Sequence, residues 1–164
     1  ASPATGLASA YLTIYEASSN GLATGGGWFD SPAGACKLES CSTATGRANF
    51  GFNVKSRNGS TIGETEFHFQ AGSLDFHSTA YNSFKIKGSQ ANFQGTGTVN
   101  GQTGTFTFTV VAVDNDDTGG TTPDTFEIQI TNPAGVVIYD SQNAPVKRGD
   151  IEIHQTGSQI GKGE

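Results

Sequence analysis

Apolar and polar residues alternate with a period of two along much of this 164-residue chain, and no window sustains a helical period. ANFGFNV (48–54) puts Ala48, Phe50, Phe52 and Val54 on one face. ETEFHFQ (64–70) sets Thr65, Phe67 and Phe69 against Glu64, Glu66, His68 and Gln70. In TFTFTVVAV (105–113), Phe106, Phe108, Val110 and Ala112 oppose three threonines and two valines. That partly apolar second face predicts a central strand covered on both sides. TFEIQIT (125–131) buries Phe126, Ile128 and Ile130, and DIEIH (150–154) offers Ile151 and Ile153. Weaker strands are predicted over 9–17, 73–78, 84–87, 91–99 and 136–140.

Turn chemistry agrees with this pattern. Asn20-Gly21, Asn58-Gly59 and Asn100-Gly101 each fall between strand-like runs, and Asn-Gly tolerates the positive φ of a hairpin turn. Around ten short strands predict an all-β fold, an antiparallel β-sandwich or jelly-roll-like domain. The glycines of GTGTV (95–99) predict a bulge or a closely crossing backbone. The chain divides into an N-terminal extension (1–20), one β domain (21–155) and a polar tail (156–164). The extension carries a strand, SAYLTIYEA (9–17), with Tyr11, Leu12, Ile14 and Tyr15 as its large residues. That strand either pairs within its own domain or adds to a neighbour's sheet.

Composition narrows the classes. Glycine stands at 23 residues without a Gly-X-Y period, which excludes collagen, and eleven Phe supply enough apolar surface to order a core. A net charge of −6 argues against nucleic acid as a partner. No run of 18 apolar residues is present, so no membrane insertion is expected. The chain contains no methionine and opens on Ala1-Ser2-Pro3, as signal-peptide removal would leave it, so a secreted, extracellular or cell-surface location is expected. Cys36 and Cys41, in CKLESC, are too few for a zinc site. In an oxidising compartment they close a small loop, worth roughly 2 kcal/mol.

Candidate chemistry is sparse. VDNDDTGGTTPDTFEI (113–128) clusters Asp114, Asp116 and Asp117, with Asp124 returning at the next strand. Clustered carboxylates in a glycine-rich loop suit calcium, although the EF-hand pattern is missing. The same residues are also ordinary turn formers, and both readings stand. Glu64 and Glu66 share a strand face about 7 Å apart, but catalytic carboxyls face each other across a cleft. His68, His77 and His154 show no ligand spacing and read as polar-face residues, and no nucleophile motif occurs. An enzyme is not expected. Trp28, Tyr81 and Tyr139 are candidates for an aromatic platform that stacks on sugar rings, with burial in the core as the alternative.

The segments TGGGWF (24–29), GRANFGFNVK (46–55), ETEFHFQAGSLDFHSTAYNSFKI (64–86), GTGTVNG (95–101), DTFEIQI (124–130), GVVIYDSQ (135–142) and GDIEIH (149–154) follow one pattern in order. Together they resemble a secreted bacterial β-sandwich domain that opens on Gly-Gly-Gly-Trp and accompanies cell-surface anchor modules, of the post-choice-of-anchor type. The resemblance implies an extracellular β module and carries no mechanism. Residues 1–20 and the CKLESC segment lie outside the pattern and inherit no role from it. The expected function is a non-catalytic structural or adhesive module, self-associating into an oligomer or filament through the 9–17 strand. The alternative is a polysaccharide-binding module of a secreted hydrolase.

Overall fold

A computed structural model describes residues 20–115 and 122–155. Ten strands account for most of them: β1 (Gly21–Ser31), β2 (Gly46–Arg57), β3 (Ser60–Phe69), β4 (Leu74–Lys87), β5 (Gln90–Val99), β6 (Phe106–Val113), β7 (Thr125–Thr131), β8 (Val137–Asp140), β9 (Ala144–Pro145) and β10 (Arg148–Gln155). The expected all-β class, with about ten antiparallel strands, is what the chain adopts. The extension strand 9–17 and the tail 156–164 lie outside the described residues.

The strands share one sheet in the order β10-β1-β2-β3-β4-β5-β6-β7-β8, with β9 on β7. From β1 to β8 each strand pairs with the next, so the jelly-roll-like expectation resolves into a meander. Short connections produce most of this order, because a hairpin lays each strand beside its predecessor, while longer loops join β1 to β2 and β6 to β7. The sheet then curls around one core. Val146 N–H donates to Asp124 O (2.9 Å) and Lys147 N–H to Trp28 O (2.8 Å), so residues 144–148 tie β7 to β1. Phe29 of β1 lies 6.1 Å from Phe126 of β7, ring to ring.

Phenylalanine fills the interior as the alternation predicts. Phe50 and Phe126 stack at 4.0 Å, Phe76 and Phe108 approach to 5.1 Å, and Phe52 and Phe93 to 5.3 Å. Each such side chain contributes about 1.5–3 kcal/mol by leaving water. On β6 the outer threonines, Thr107 and Thr109, are exposed and Val111 and Val113 half-buried. Among the described residues the strand is therefore covered on one face, not two, because their meander curls about one core and supplies no second layer.

β1, a central strand, is glycine-rich and escaped the alternation. Three of its glycines leave no room for a side chain: a Cβ on Gly21 would lie 2.5 Å from His154 O, one on Gly25 2.7 Å from the Phe52 ring, and one on Gly27 2.1 Å from Arg148 O. β4 merges two predicted strands. Register shifts at Ser78/Ala80 and Tyr81/Ser83 turn Tyr81 toward the core between Phe76 and Phe84, after which the original parity resumes. Gly95 and Gly97 of β5 lie opposite this region, with Ala80 O and His77 O where their Cβ atoms would be.

Asn58 (φ 55°) and Gly59 (φ 83°) form the expected two-residue turn between β2 and β3. Asn100-Gly101 instead begins a longer connection, in which the Asn100 side chain accepts Asp75 N–H (2.7 Å) and donates to Ser73 O (3.2 Å). Asn20 Oδ1 accepts Asn58 N–H at 3.0 Å, and the chain before Asn20, which the expected turn would join to β1, lies outside the described residues.

Cys36 and Cys41 are paired and buried. Their loop runs along β8, with Lys37 N–H donating to Ile138 O (2.7 Å) and Asp140 N–H to Ala35 O (2.9 Å). The outer edge of a terminal strand is thereby covered. Beneath it Tyr139 is fully buried, its hydroxyl 2.7 Å from Ser31 Oγ. Burial pushes the Tyr139 phenol up to about 12. A raised phenol pKa stabilises the fold below the unfolded value near 10 and is lost as pH rises through the folded one. Stability should therefore fall by roughly 2–3 kcal/mol between about pH 10 and pH 12. Urea midpoints across that range test this, and Tyr139→Phe should flatten the slope.

Candidate functional site

Of the four aspartates considered for calcium, Asp114 and Asp124 are described and buried, whereas Asp116 and Asp117 lie outside the described residues. Asp124 Oδ1 accepts Asn115 N–H (2.8 Å) and Oδ2 accepts Ile151 N–H (2.8 Å). One carboxylate thus fastens the β6–β7 loop to β10.

The aromatic candidates do not assemble into one platform. Tyr139 belongs to the core. Tyr81 packs against Phe93 and Phe108, at 6.2 Å and 5.8 Å between centroids, and its hydroxyl lies 2.7 Å from Thr65 Oγ1. Trp28 is half-buried on the outer face of β1, with the Arg47 guanidinium 4.0 Å above its ring.

β3 and β4 pair over only four rungs, from Phe69↔Leu74 to Glu66↔His77. Beyond that rung they part. β3 continues on β2 through Ser60, while β4 bends away on β5 to Lys87. At the fork Thr65 N–H donates to Ser78 Oγ at 2.8 Å, a side-chain hydroxyl standing in for a ladder carbonyl. Among the described residues, 60–65 of β3 and 80–87 of β4 share no ladder rung with each other, and Ile62 is 60% exposed.

On the outer face at the same fork, Glu66, His68 and His77 converge. Glu66 and His68 are two apart on β3, and the register places His77 opposite Glu66. Glu66 Oε1 is 3.5 Å from His68 Nε2, and Oε2 is 3.7 Å from His77 Nδ1. His68 Nδ1 is 2.7 Å from Asp75 Oδ1. That hydrogen bond is the main cause of a raised His68 pKa, opposed by partial burial and reinforced by the charges of Asp75 and Glu66. Glu64 is exposed one step further along β3, and His154 lies on β10 beside Glu152. The histidines lack a linear metal motif, yet Glu-x-His on one strand, followed by a short QAGS connection, is the pattern that folds His77 back onto Glu66.

No protein-family model matches the chain, and neither the curated proteins nor the solved structures include a match to it. Among the described residues, no helix is long and apolar enough to cross a membrane.

Proposed function

We propose that the chain is a non-catalytic extracellular structural module that self-associates by strand addition. Residues 9–17 of one copy would pair beside β3 and β4 of the next, beyond their last shared rung. The observation that supports this reading is the fork itself, where the β3–β4 ladder ends after four rungs while both strands run on, β3 along β2 and β4 along β5. Strand addition works through main-chain bonds and needs only an alternating sequence. SAYLTIYEA alternates Leu12 and Ile14 with Tyr11, Thr13 and Tyr15. A head-to-tail contact of this kind need not close, so it builds a filament. The Cys36–Cys41 pair supports an oxidising, extracellular setting, as does the resemblance to secreted surface domains. Deleting residues 1–19 should leave a domain with an unchanged melting profile that elutes as a monomer, while the full chain forms larger species in light scattering. A truncated chain that still polymerises would sink the proposal.

A second reading, polysaccharide binding, rests on Trp28 beside Gly26 and Gly51. A Cβ would meet no atom within 4 Å at Gly51 and only Phe50 O, at 3.6 Å, at Gly26, so packing does not require either glycine. A strand glycine without a packing role suits close approach by a ligand. Retention on an insoluble polysaccharide, abolished by Trp28→Ala, would favour this reading over assembly.

A further inference from the structure

We propose that Glu66, His68 and His77 form a binding site for a divalent transition metal of the zinc type, with Asp75 orienting His68 from behind. The inference is independent of the assembly reading.

Three observations carry it. The first is convergence: one ligand atom from each residue lies within 4.8 Å of the other two. Tetrahedral zinc with bonds of about 2.0–2.1 Å spaces its ligand atoms about 3.3 Å apart. Each imidazole already lies near that spacing from one oxygen of the Glu66 carboxylate, His68 Nε2 at 3.5 Å from Oε1 and His77 Nδ1 at 3.7 Å from Oε2. A bound ion would draw the three ligand atoms from within 4.8 Å of one another to that spacing by side-chain rotation.

The second is the outer partner. His68 presents Nε2 toward Glu66 while Nδ1 faces the Asp75 carboxylate at 2.7 Å. A carboxylate behind a liganding imidazole fixes its tautomer and raises its basicity. Asp75 is itself held, because its backbone N–H donates to Asn100 Oδ1 at 2.7 Å and its carbonyl accepts Asn100 N–H at 3.0 Å.

The third is access. Gly51 is the β2 residue opposite Glu66, and nothing lies within 4 Å of where its Cβ would be. No β2 side chain therefore covers Glu66 from that position. Three protein ligands on an open face leave a fourth position for water or for a donor from another molecule. Two imidazoles with one carboxylate suit zinc, copper or nickel, whereas calcium and magnesium require more oxygen ligands. Glu66↔His77 is also the last rung before β3 and β4 part, so a bound ion would clamp the fork.

The probes are cobalt(II) and zinc(II), added to tag-free full-length protein. One equivalent of cobalt should give saturable visible absorption that zinc displaces, and zinc should raise the melting temperature. His77→Gln and Glu66→Gln should each weaken binding at least 10-fold, and Asp75→Asn by about 10–100-fold. His154→Gln, at a surface pair on another strand, should leave binding unchanged and serves as the control. Absence of saturable binding would overturn the proposal, as would affinity that His77→Gln leaves intact or that His154→Gln removes. Metal-free melting curves of each variant show whether the fold is retained, and a loss of affinity counts only where it is.

Discussion

Phe126→Ala is expected to destabilise the domain by about 3–5 kcal/mol, the usual cost of removing a large ring from a closed core. Phe126 is fully buried. Its ring stacks on Phe50 at 4.0 Å and lies 6.1 Å from Phe29 and 6.0 Å from Phe52. Those partners belong to β1 and β2, whereas Phe126 belongs to β7. The substitution therefore opens a cavity where the curled sheet closes on itself, and rigid strands on both sides limit collapse into it. Domains of this size hold about 5–15 kcal/mol in total, so the variant should be near its folding threshold. Urea unfolding measures the effect as a lower midpoint with an unchanged slope. A loss below about 1 kcal/mol would mean that the β7–β1 closure contributes little to the core.

Asp124→Ala should cost roughly 2–4 kcal/mol, for a polar reason. The carboxylate accepts backbone N–H groups from Asn115 and Ile151, each at 2.8 Å, and Ile151 is fully buried. Truncation leaves both donors without this acceptor, and a buried orphan amide costs more than the bond it loses is worth. Asp124→Asn keeps one acceptor oxygen but turns an N–H₂ group toward the other amide, so it should also destabilise. Hydrogen exchange at Asn115 and Ile151 reads the local effect, which should be fast exchange at both amides in Asp124→Ala. Unchanged protection there would show that the bracket is dispensable.

The sequence-to-structure record divides along physical lines. Strands whose buried face carries Phe, Val or Ile at every second position, such as 48–54 in β2 and 125–131 in β7, could be read directly. β1 could not. Its apolar face is completed by rings from elsewhere, with Phe52 lying over Gly25, and a glycine run read by itself signals a breaker. β4 read as two strands because its bulges interrupt the alternation between Phe76 and Phe84. The meander order was not legible, since alternation fixes which face is buried but not which strand is the neighbour. Among the candidate residues, Asp124 stood out by type and turned out to hold backbone amides. The Glu66–His68–His77 cluster was hidden because it depends on β3–β4 register, which places residues eleven positions apart on one rung.

The fork between β3 and β4 is the feature on which the proposed assembly rests, and hydrogen–deuterium exchange addresses it directly. Exchange would be followed at the amides of residues 60–65 and 80–87, in the full chain and in the chain lacking residues 1–19, over a range of protein concentrations. Strand addition from a neighbour predicts protection that grows with concentration in the full chain and is absent from the truncated one. Equal exchange in both chains at every concentration, or protection in the full chain that ignores concentration, would contradict it.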